Sequence, residues 1–292
     1  MPEQPLALFQ STGAAAGLNW SFQRTGRLDT GPKLLLIHGT GSSGASWAAV
    51  AARMAPRFDV LLPDLPGHGG SEGFADHRAS LPRMAGALTG LLNTLGSGGW
   101  SPDLVVGHSA GAAVMLQMTL DRGIAPRALL AVNGALAPLP ALARHVFPPL
   151  ARLIAASPWL PELAARRAAQ PAALGRLIAS TGSRLNAADV ARYRDLLTRQ
   201  GHVRGALDMM ANWQLDELIA ALPRLATPLW LAAGTADGTV PCIQSERLAR
   251  RLPEARFVAL QGLGHLAHEE APDQVANLID ALWEPSQRRS GR

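Results

Sequence analysis

Short, nearly continuous runs of apolar residues punctuate the first half of the chain. They lie at residues 34–37, 58–62, 104–106 and 128–132, and none of them alternates polar and apolar positions throughout. Strands that are covered on both faces by helices have this pattern, whereas half-exposed strands alternate. The pattern therefore predicts an α/β protein in which a parallel sheet is buried between helices.

The third of these runs leads directly into the sequence Gly107-His108-Ser109-Ala110-Gly111. Glycines two residues before and two residues after the serine allow a tight bend, because glycine has no Cβ. A strand that ends in such a bend presents the serine hydroxyl at the edge of the sheet, in the arrangement called a nucleophile elbow. Ser109 is therefore the predicted nucleophile.

Two later apolar runs end in the residues that a serine nucleophile requires. Residues 228–233 lead to a turn that carries Asp237, and residues 256–260 lead through two glycines to His265. A serine hydroxyl reacts when a base accepts its proton and an acid orients that base, and the chain order serine, aspartate, histidine is a known one. We predict that His265 is the base and that Asp237 orients it.

Both of these residues have an alternative interpretation. Asp237 precedes a glycine, and aspartate is common at that place in turns. His268 is a second histidine in the same region, but it lies beside Glu269 and Glu270 at the start of the last predicted helix. We therefore expect His268 to be solvated or to cap that helix.

A glycine-rich loop, His38-Gly39-Thr40-Gly41, follows the first apolar run. Backbone N–H groups in such a loop stabilise the negative charge that develops on an acyl oxygen, at about 3 kcal/mol per donor. We predict an oxyanion hole formed by the N–H groups of Thr40 and Ala110, with Gly41 as the alternative to Thr40. The residues expected to support the site by hydrogen bonding rather than proton transfer are His38, Gly39, Gly41 and His108.

Together, the glycine-rich loop, the segment 64–71, the serine elbow, Asp237 and His265 resemble the α/β-hydrolase fold family over roughly residues 15–284. The resemblance implies a mostly parallel, eight-stranded sheet flanked by helices, with an inserted helical cap. It also implies a hydrolase that works without a cofactor. Haloalkane dehalogenation is disfavoured, because that reaction requires a carboxylate where Ser109 stands.

The positive charge of the chain is concentrated in one segment. The net charge is +5, yet residues 138–205 contain ten arginines and only three acidic residues. The same segment has alanine and leucine at helical spacing, and prolines that divide it into short helices. We assign residues 137–205 to the helical cap, and residues 1–136 and 206–292 to the hydrolase core.

Three interpretations of the basic cap stay open. Its arginines are solvated helix faces, or they recognise an apolar and anionic small molecule such as a porphyrin, since arginine pairs with carboxylates in a bidentate manner. In the third interpretation, the amphipathic stretch at residues 141–160 makes peripheral contact with an anionic membrane. Nucleic acid is not an expected partner, because the chain has no motif that combines basic and aromatic residues for that purpose.

Three short segments, at residues 108–113, 131–136 and 209–215, are similar to the magnesium chelatase accessory proteins of bacteriochlorophyll biosynthesis. This narrower resemblance implies a role near porphyrin intermediates and an association with magnesium chelatase. Two hypotheses follow. The first is a serine hydrolase that cleaves an ester or related acyl bond of an apolar, anionic small molecule, and the second is a tetrapyrrole-binding accessory protein with little or no catalysis.

Composition bears on the compartment and on metal binding. The chain has no leader-like pattern and no apolar run of about 18 residues, so we expect a cytoplasmic protein with at most peripheral membrane contact. The single cysteine, Cys242, excludes an internal disulfide and fits a reducing compartment. The eight histidines are scattered without the spacing of metal ligands, so no metal site is expected.

Overall fold

A computed structural model describes residues 9–290 except residues 97, 138–162, 164, 165 and 168. Eight strands form one sheet in the order β1-β2-β4-β3-β5-β6-β7-β8. β1 and β2 pair in antiparallel fashion at one edge, and all pairings from β4 through β3 to β8 are parallel. The strands are β1 (Phe9–Ala15), β2 (Leu18–Gly26), β3 (Lys33–Ile37), β4 (Asp59–Pro63), β5 (Leu104–His108), β6 (Ala128–Val132), β7 (Leu229–Gly234) and β8 (Ala255–Leu260).

Helices follow most of the strands. In the part of the chain that the structure describes, the α-helices are α1 (Ala48–Met54), α2 (Leu81–Thr94), α3 (Ala110–Leu120), α4 (Pro171–Ser180), α5 (Ala187–Thr198), α6 (Gln200–Asn212), α7 (Asp216–Ala221), α8 (Cys242–Ala249), α9 (Ala267–Glu270) and α10 (Pro272–Ser290). Two short 3₁₀ helices, Gly44–Trp47 and Leu222–Arg224, precede α1 and β7. None of the described helices is long and apolar enough to cross a membrane.

The continuous apolar runs arise because both faces of the sheet are covered. Leu34 and Leu36 of β3 belong to a hydrophobic cluster that includes residues of α1 and α10. Leu35 and Ile37, which point to the opposite face, belong to a second cluster with residues of α2 and α3. The predicted architecture, an eight-stranded and mostly parallel sheet flanked by helices, is confirmed.

A long insertion, residues 133–228, separates β6 from β7 and contains helices α4 to α7. Pro171 lies at the start of α4, where proline's missing N–H costs nothing. The amphipathic stretch at 141–160, with most of the predicted helix-breaking prolines, lies outside the described residues. The predicted division between cap and core at residues 205 and 206 falls inside α6, and it stays a prediction.

The carboxyl ends of the parallel strands meet at one edge of the sheet, and ligand sites of open α/β sheets lie at that edge. The loops that leave β3, β5, β7 and β8 carry, respectively, the glycine-rich loop, Ser109, Asp237 and His265. Residues that are far apart in the chain are brought together in this way.

Candidate active site

Ser109 occupies a sharp bend between β5 and α3. Its φ of 51° and ψ of −119° lie outside the regions that a non-glycine residue normally adopts. The two flanking glycines are required by close backbone approach: a Cβ at Gly107 would lie 2.5 Å from the Gly111 oxygen, and a Cβ at Gly111 would lie 2.5 Å from the His38 oxygen. The Ser109 N–H donates to the Val132 oxygen at 3.1 Å, which ties the bend to β6.

The structure brings Ser109, His265 and Asp237 together in one hydrogen-bonded row. His265 Nε2 lies 3.0 Å from Ser109 Oγ, and His265 Nδ1 lies 2.8 Å from Asp237 Oδ2. An ionised carboxylate can only accept, so Nδ1 carries the proton of the neutral imidazole and Nε2 presents a lone pair to the hydroxyl. The Asp237 side chain is fully buried and that of His265 is 8% exposed, so water competes little for this bond.

The Asp237 carboxylate is held by four donors. Oδ1 accepts from the N–H groups of Thr239 and Val240, at 2.7 and 2.8 Å, and Oδ2 accepts from His265 and from Asn133 Nδ2, the latter at 2.7 Å. Burial raises the pKa of Asp237, but the hydrogen bond and charge of His265, with the donors from Val240 and Asn133, outweigh it and lower the pKa overall. Asp237 is therefore ionised, and Asn133 acts as a donor to it, a contact not anticipated from sequence.

The glycine-rich loop forms a turn over residues 39–42, here called the β3 turn. The Ser42 N–H donates to the Gly39 oxygen at 3.2 Å, and Gly41 has a φ of +75°, the combination of a type II turn. This turn leaves the N–H groups of its two central residues, Thr40 and Gly41, out of its closing bond. A Cβ at Gly39 would lie 2.9 Å from Ser109 Cβ, so the β3 turn lies directly against the serine.

Ala110, the other predicted oxyanion donor, is the first residue of α3. The first N–H groups of a helix have no acceptor within the helix. The N–H of Ala110 is therefore available next to the Ser109 side chain. The predicted oxyanion donors thus belong to two segments that adjoin Ser109, the β3 turn and the start of α3.

His38 and His108 are both buried and contact the site through backbone carbonyls. His38 Nδ1 donates to the Gly39 oxygen at 2.8 Å, and its Nε2 accepts from the Leu65 N–H at 2.9 Å. His108 Nε2 donates to the His265 oxygen at 2.8 Å. Burial lowers the pKa of His38, and burial followed by the charge of His265 lowers the pKa of His108 to about 3. Both imidazoles are therefore neutral and hold loops in place.

The expectation that His268 is solvated or caps a helix is wrong. His268 is fully buried, with its ring centroid 4.2 Å from the Trp47 ring and 4.3 Å from the His108 ring. Helix α9 has only four residues and packs against the 3₁₀ helix at Gly44–Trp47, so its residues face the interior.

Among the described residues, no group of three or more His, Cys, Asp or Glu side chains is arranged to hold a metal ion.

The insertion contributes a turn that the sequence analysis missed. The Thr181 oxygen accepts from the N–H of Gly238 and from the N–H of His265, each at 3.0 Å. Ser183 Oγ accepts from the Leu266 N–H at 2.8 Å. One carbonyl thus joins the loop of the acid to the loop of the base. In the sequence, Gly182 indicates a turn at this place but not its contacts; in the structure its φ is +76°.

A buried carboxylate links the insertion to the core beside the site. Glu269 accepts from the Tyr193 hydroxyl at 2.6 Å and pairs with Arg192, and both partners lie on α5. Burial raises the pKa of Glu269 to about 7, against the hydrogen bond from Tyr193 and the charge of Arg192. The Tyr193 hydroxyl also lies 3.4 Å from Ser42 Oγ in the β3 turn. Glu269 is therefore interior, like its neighbour His268.

The model of the "Alpha/beta hydrolase family" matches residues 34–278 of this chain. The chain belongs to the alpha/beta hydrolase family. Its sequence is 42% identical to the "Magnesium-chelatase 30 kDa subunit" of Rhodobacter capsulatus over 262 residues, which are 90% of each chain. The resemblance to magnesium chelatase proteins that was predicted from three short segments therefore extends over 90% of this alpha/beta hydrolase.

More distant relatives of this alpha/beta hydrolase include enzymes. It is 29% identical over 255 residues to the pimeloyl-acyl-carrier-protein methyl ester esterase of Xanthomonas campestris pv. campestris, covering 85% of this chain and 94% of that protein. Its structure is similar to that of an alpha/beta hydrolase fold protein from Burkholderia ambifaria, with a TM-score of 0.78, 23% identity, and coverage of 94% and 98%. The structural likeness supports the fold alone.

Proposed function

We propose that this alpha/beta hydrolase is a serine hydrolase that cleaves an ester or a related acyl bond through Ser109, His265 and Asp237. The observation that carries the proposal is the continuous row of hydrogen bonds from the Asp237 carboxylate through His265 to the Ser109 hydroxyl. The row fixes the tautomer of His265, so that a lone pair faces the hydroxyl. Esterases among the relatives support the same reaction class.

In the proposed mechanism, Ser109 Oγ attacks the acyl carbon while His265 Nε2 takes the hydroxyl proton. The negative charge on the acyl oxygen is stabilised by the N–H groups of Ala110 and Thr40, at about 3 kcal/mol per donor. His265 then returns the proton to the leaving alcohol, which departs and leaves an acyl group on Ser109. A water molecule then attacks the acyl carbon while His265 takes its proton. The bond between the acyl carbon and Ser109 Oγ breaks, His265 returns the proton to Ser109 Oγ, and the carboxylic acid is released.

Asp237 stays ionised throughout this sequence and stabilises the imidazolium that forms twice. Its donors support that role, because Thr239, Val240 and Asn133 favour the charged carboxylate. A carboxylate held in this way does not itself take the proton. The Asn133 amide at the end of β6 therefore helps an acid that is located after β7.

For the substrate we retain the predicted class, an apolar small molecule that carries an anionic group. The excess of arginines in the insertion supports this class. Some of that charge is internally neutralised, since Arg192 pairs with Asp189 and Glu269 and Arg199 pairs with Asp195. A comparison of two esters with the same acyl length, one neutral and one with a terminal carboxylate, tests the class. We expect a lower KM for the carboxylate ester, and an equal or higher KM would contradict the proposed class.

The reaction itself is tested by turnover of p-nitrophenyl butyrate. We expect Ser109→Ala to reduce turnover to the uncatalysed background, because the variant has no group to form the acyl intermediate. Ser180→Ala is the matched control, since Ser180 is an exposed serine in the insertion whose hydroxyl donates to the Leu177 oxygen of its own helix. The control should retain full activity. Undiminished turnover by Ser109→Ala would refute the proposal.

A second candidate function, a tetrapyrrole-binding accessory protein of magnesium chelatase, is favoured by one observation. The relative that is 42% identical over 90% of this chain is named a magnesium-chelatase subunit. Titration with protoporphyrin, followed by quenching of the seven tryptophans, tests this candidate. Tight binding that Ser109→Ala leaves unchanged, with no ester turnover by the parent protein, would favour the accessory function over the hydrolase.

A further inference from the structure

Helix α6 of the insertion contacts the β3 turn directly. His202 Nε2 lies 3.2 Å from the Gly41 oxygen, and Thr40 Oγ1 donates to Met209 Sδ at 3.2 Å. Both α6 residues are buried, His202 at 3% and Met209 at 0% exposure. The two central residues of the turn are thus each held by a side chain of the insertion.

His202 has a defined tautomer, because it also bonds the loop after β4. Its Nδ1 accepts from the Gly69 N–H at 3.0 Å, so Nε2 must carry the proton and donate it to the Gly41 oxygen. Burial, followed by the charge of His38, lowers the pKa of His202 to about 4. The imidazole is neutral at neutral pH and works as a fixed donor rather than as an acid or base.

The hydrogen bond from His202 holds a residue of the β3 turn that the described part of the chain packs little. A Cβ placed on Gly41 would meet no atom of the described residues within 4 Å. Glycine adopts positive and negative φ with similar ease, and a change of sign at Gly41 would convert the turn to another type. The peptide between Thr40 and Gly41 would then flip, and the Gly41 N–H would point elsewhere.

We propose that His202 is a positioning residue for the oxyanion hole: by holding the Gly41 carbonyl it fixes the conformation of the β3 turn, which carries the donor Thr40 and the alternative donor Gly41. This inference rests on the proposed serine hydrolase function. The insertion then contributes to catalysis as well as to substrate recognition. If His202 only joined α6 to the core, loss of its hydrogen bond with Gly69 would lower kcat as much as loss of its hydrogen bond with Gly41.

Two substitutions separate these bonds. In His202→Asn, the amide oxygen stands near the position of Nδ1 and keeps the Gly69 bond, but the side chain is too short to reach Gly41. In His202→Gln, the longer amide offers both an acceptor and a donor. Met210→Ala is the matched control, because Met210 is on the same helix and is 47% exposed.

We expect His202→Asn to lower kcat for p-nitrophenyl butyrate about 10- to 100-fold with KM changed less than about twofold, since an oxyanion donor acts mainly in the transition state. Phenylboronic acid, which adds to the serine as a tetrahedral anion, should lose affinity by the same factor. His202→Gln should restore most of kcat, and Met210→Ala should behave as the parent. Equal kcat values in the Asn and Gln variants, or an unchanged boronate affinity, would overturn the inference.

Hydrogen exchange tests the same contact without turnover. The amides of residues 39–42 should exchange faster in His202→Asn than in His202→Gln or Met210→Ala. If the parent protein hydrolyses no ester, the proposed function fails, and this exchange still shows whether His202 holds the turn. Equal exchange in all three variants would show that it does not.

Discussion

Ser109, the proposed nucleophile, and its partners are held in place by different parts of the molecule. Ser109 is fixed within the core by β5, α3 and the close approach of Gly107 and Gly111 to neighbouring backbone. The loops of Asp237 and His265 share the Thr181 carbonyl of the insertion, and α6 holds the β3 turn. The core thus fixes the position of Ser109, whereas the insertion supports the loops of the other groups that the proposed reaction needs.

The largest expected effect is a loss of kcat when Asp237, one of the partners of Ser109, is changed. Asp237→Asn should lower kcat about 10⁴-fold, because an amide no longer selects the Nδ1–H tautomer of His265 nor stabilises the imidazolium. Steady-state kinetics and the unfolding midpoint should be measured together. Asn133→Ala, which removes one donor to the same carboxylate, should cost only about tenfold in kcat. A loss of less than tenfold for Asp237→Asn would show that the acid is elsewhere.

Gly111→Ala tests the core side of the comparison. Its Cβ would lie 2.5 Å from two backbone oxygens, those of Ile37 and His38, which cannot move without shifting β3. We expect the free energy of unfolding in urea to fall by about 3 kcal/mol. Gly175→Ala is the control: its Cβ on α4 would meet none of the described residues within 4 Å, and the substitution should raise stability by about 0.5–1 kcal/mol. Equal changes in the free energy of unfolding for Gly111→Ala and Gly175→Ala would show that close packing at the elbow does not require glycine at position 111.

Glu269→Gln tests whether the insertion is joined to the core by a titrating group. The pKa of Glu269 is about 7 in the folded protein, above its ordinary value of 4.5, so the folded state binds more protons than the unfolded state between these values. The contribution to stability is complete below about pH 4.5 and is lost as the pH rises through 7, by an amount on the order of 3 kcal/mol. The Gln variant should lack this dependence. A constant stability difference between the two proteins from pH 4.5 to 8 would contradict the account.

Gly182→Ala is expected to have the smallest effect on stability, and to act most selectively on the loops of Asp237 and His265. The residue has a positive φ, and its Cβ would lie 1.9 Å from the Ala236 oxygen, so the turn at Thr181 must move away from both loops. We expect a loss of about 1–2 kcal/mol in stability, smaller than for Gly111→Ala, because the insertion is peripheral to the sheet. The ratio of kcat loss to stability loss should nevertheless be larger than for Gly111→Ala. The opposite order would place the control of His265 in the core.

The same division explains what could be predicted from the sequence. The elbow is encoded by five consecutive residues, and Asp237 and His265 each follow a recognisable strand, so their convergence follows from the parallel sheet. The contacts made by Thr181 and His202 join residues that lie far apart and carry no local pattern. The hydrogen bond from Asn133 to Asp237 also joins distant residues, and it is made by a residue with a left-handed φ of 49°.

The error at His268 has a related cause. Two glutamates after a histidine indicate an exposed helix start, and the sequence alone contains nothing to show that Arg192 and Tyr193 neutralise and cover Glu269. Burial of a charged residue depends on a partner from another element. The fold was therefore predictable from local patterns. The contacts by which the insertion supports the site join distant residues and are seen only in the three-dimensional structure.

A fluorophosphonate probe, followed by intact-mass measurement, tests whether Ser109 is an activated nucleophile. We expect the parent protein to gain the mass of one adduct, peptide mapping to place it on Ser109, and Ser109→Ala to gain none. His265→Gln should react far more slowly, because the base is missing. A folded parent protein that gains no adduct, or a Ser109→Ala variant that gains the same one, would contradict the account.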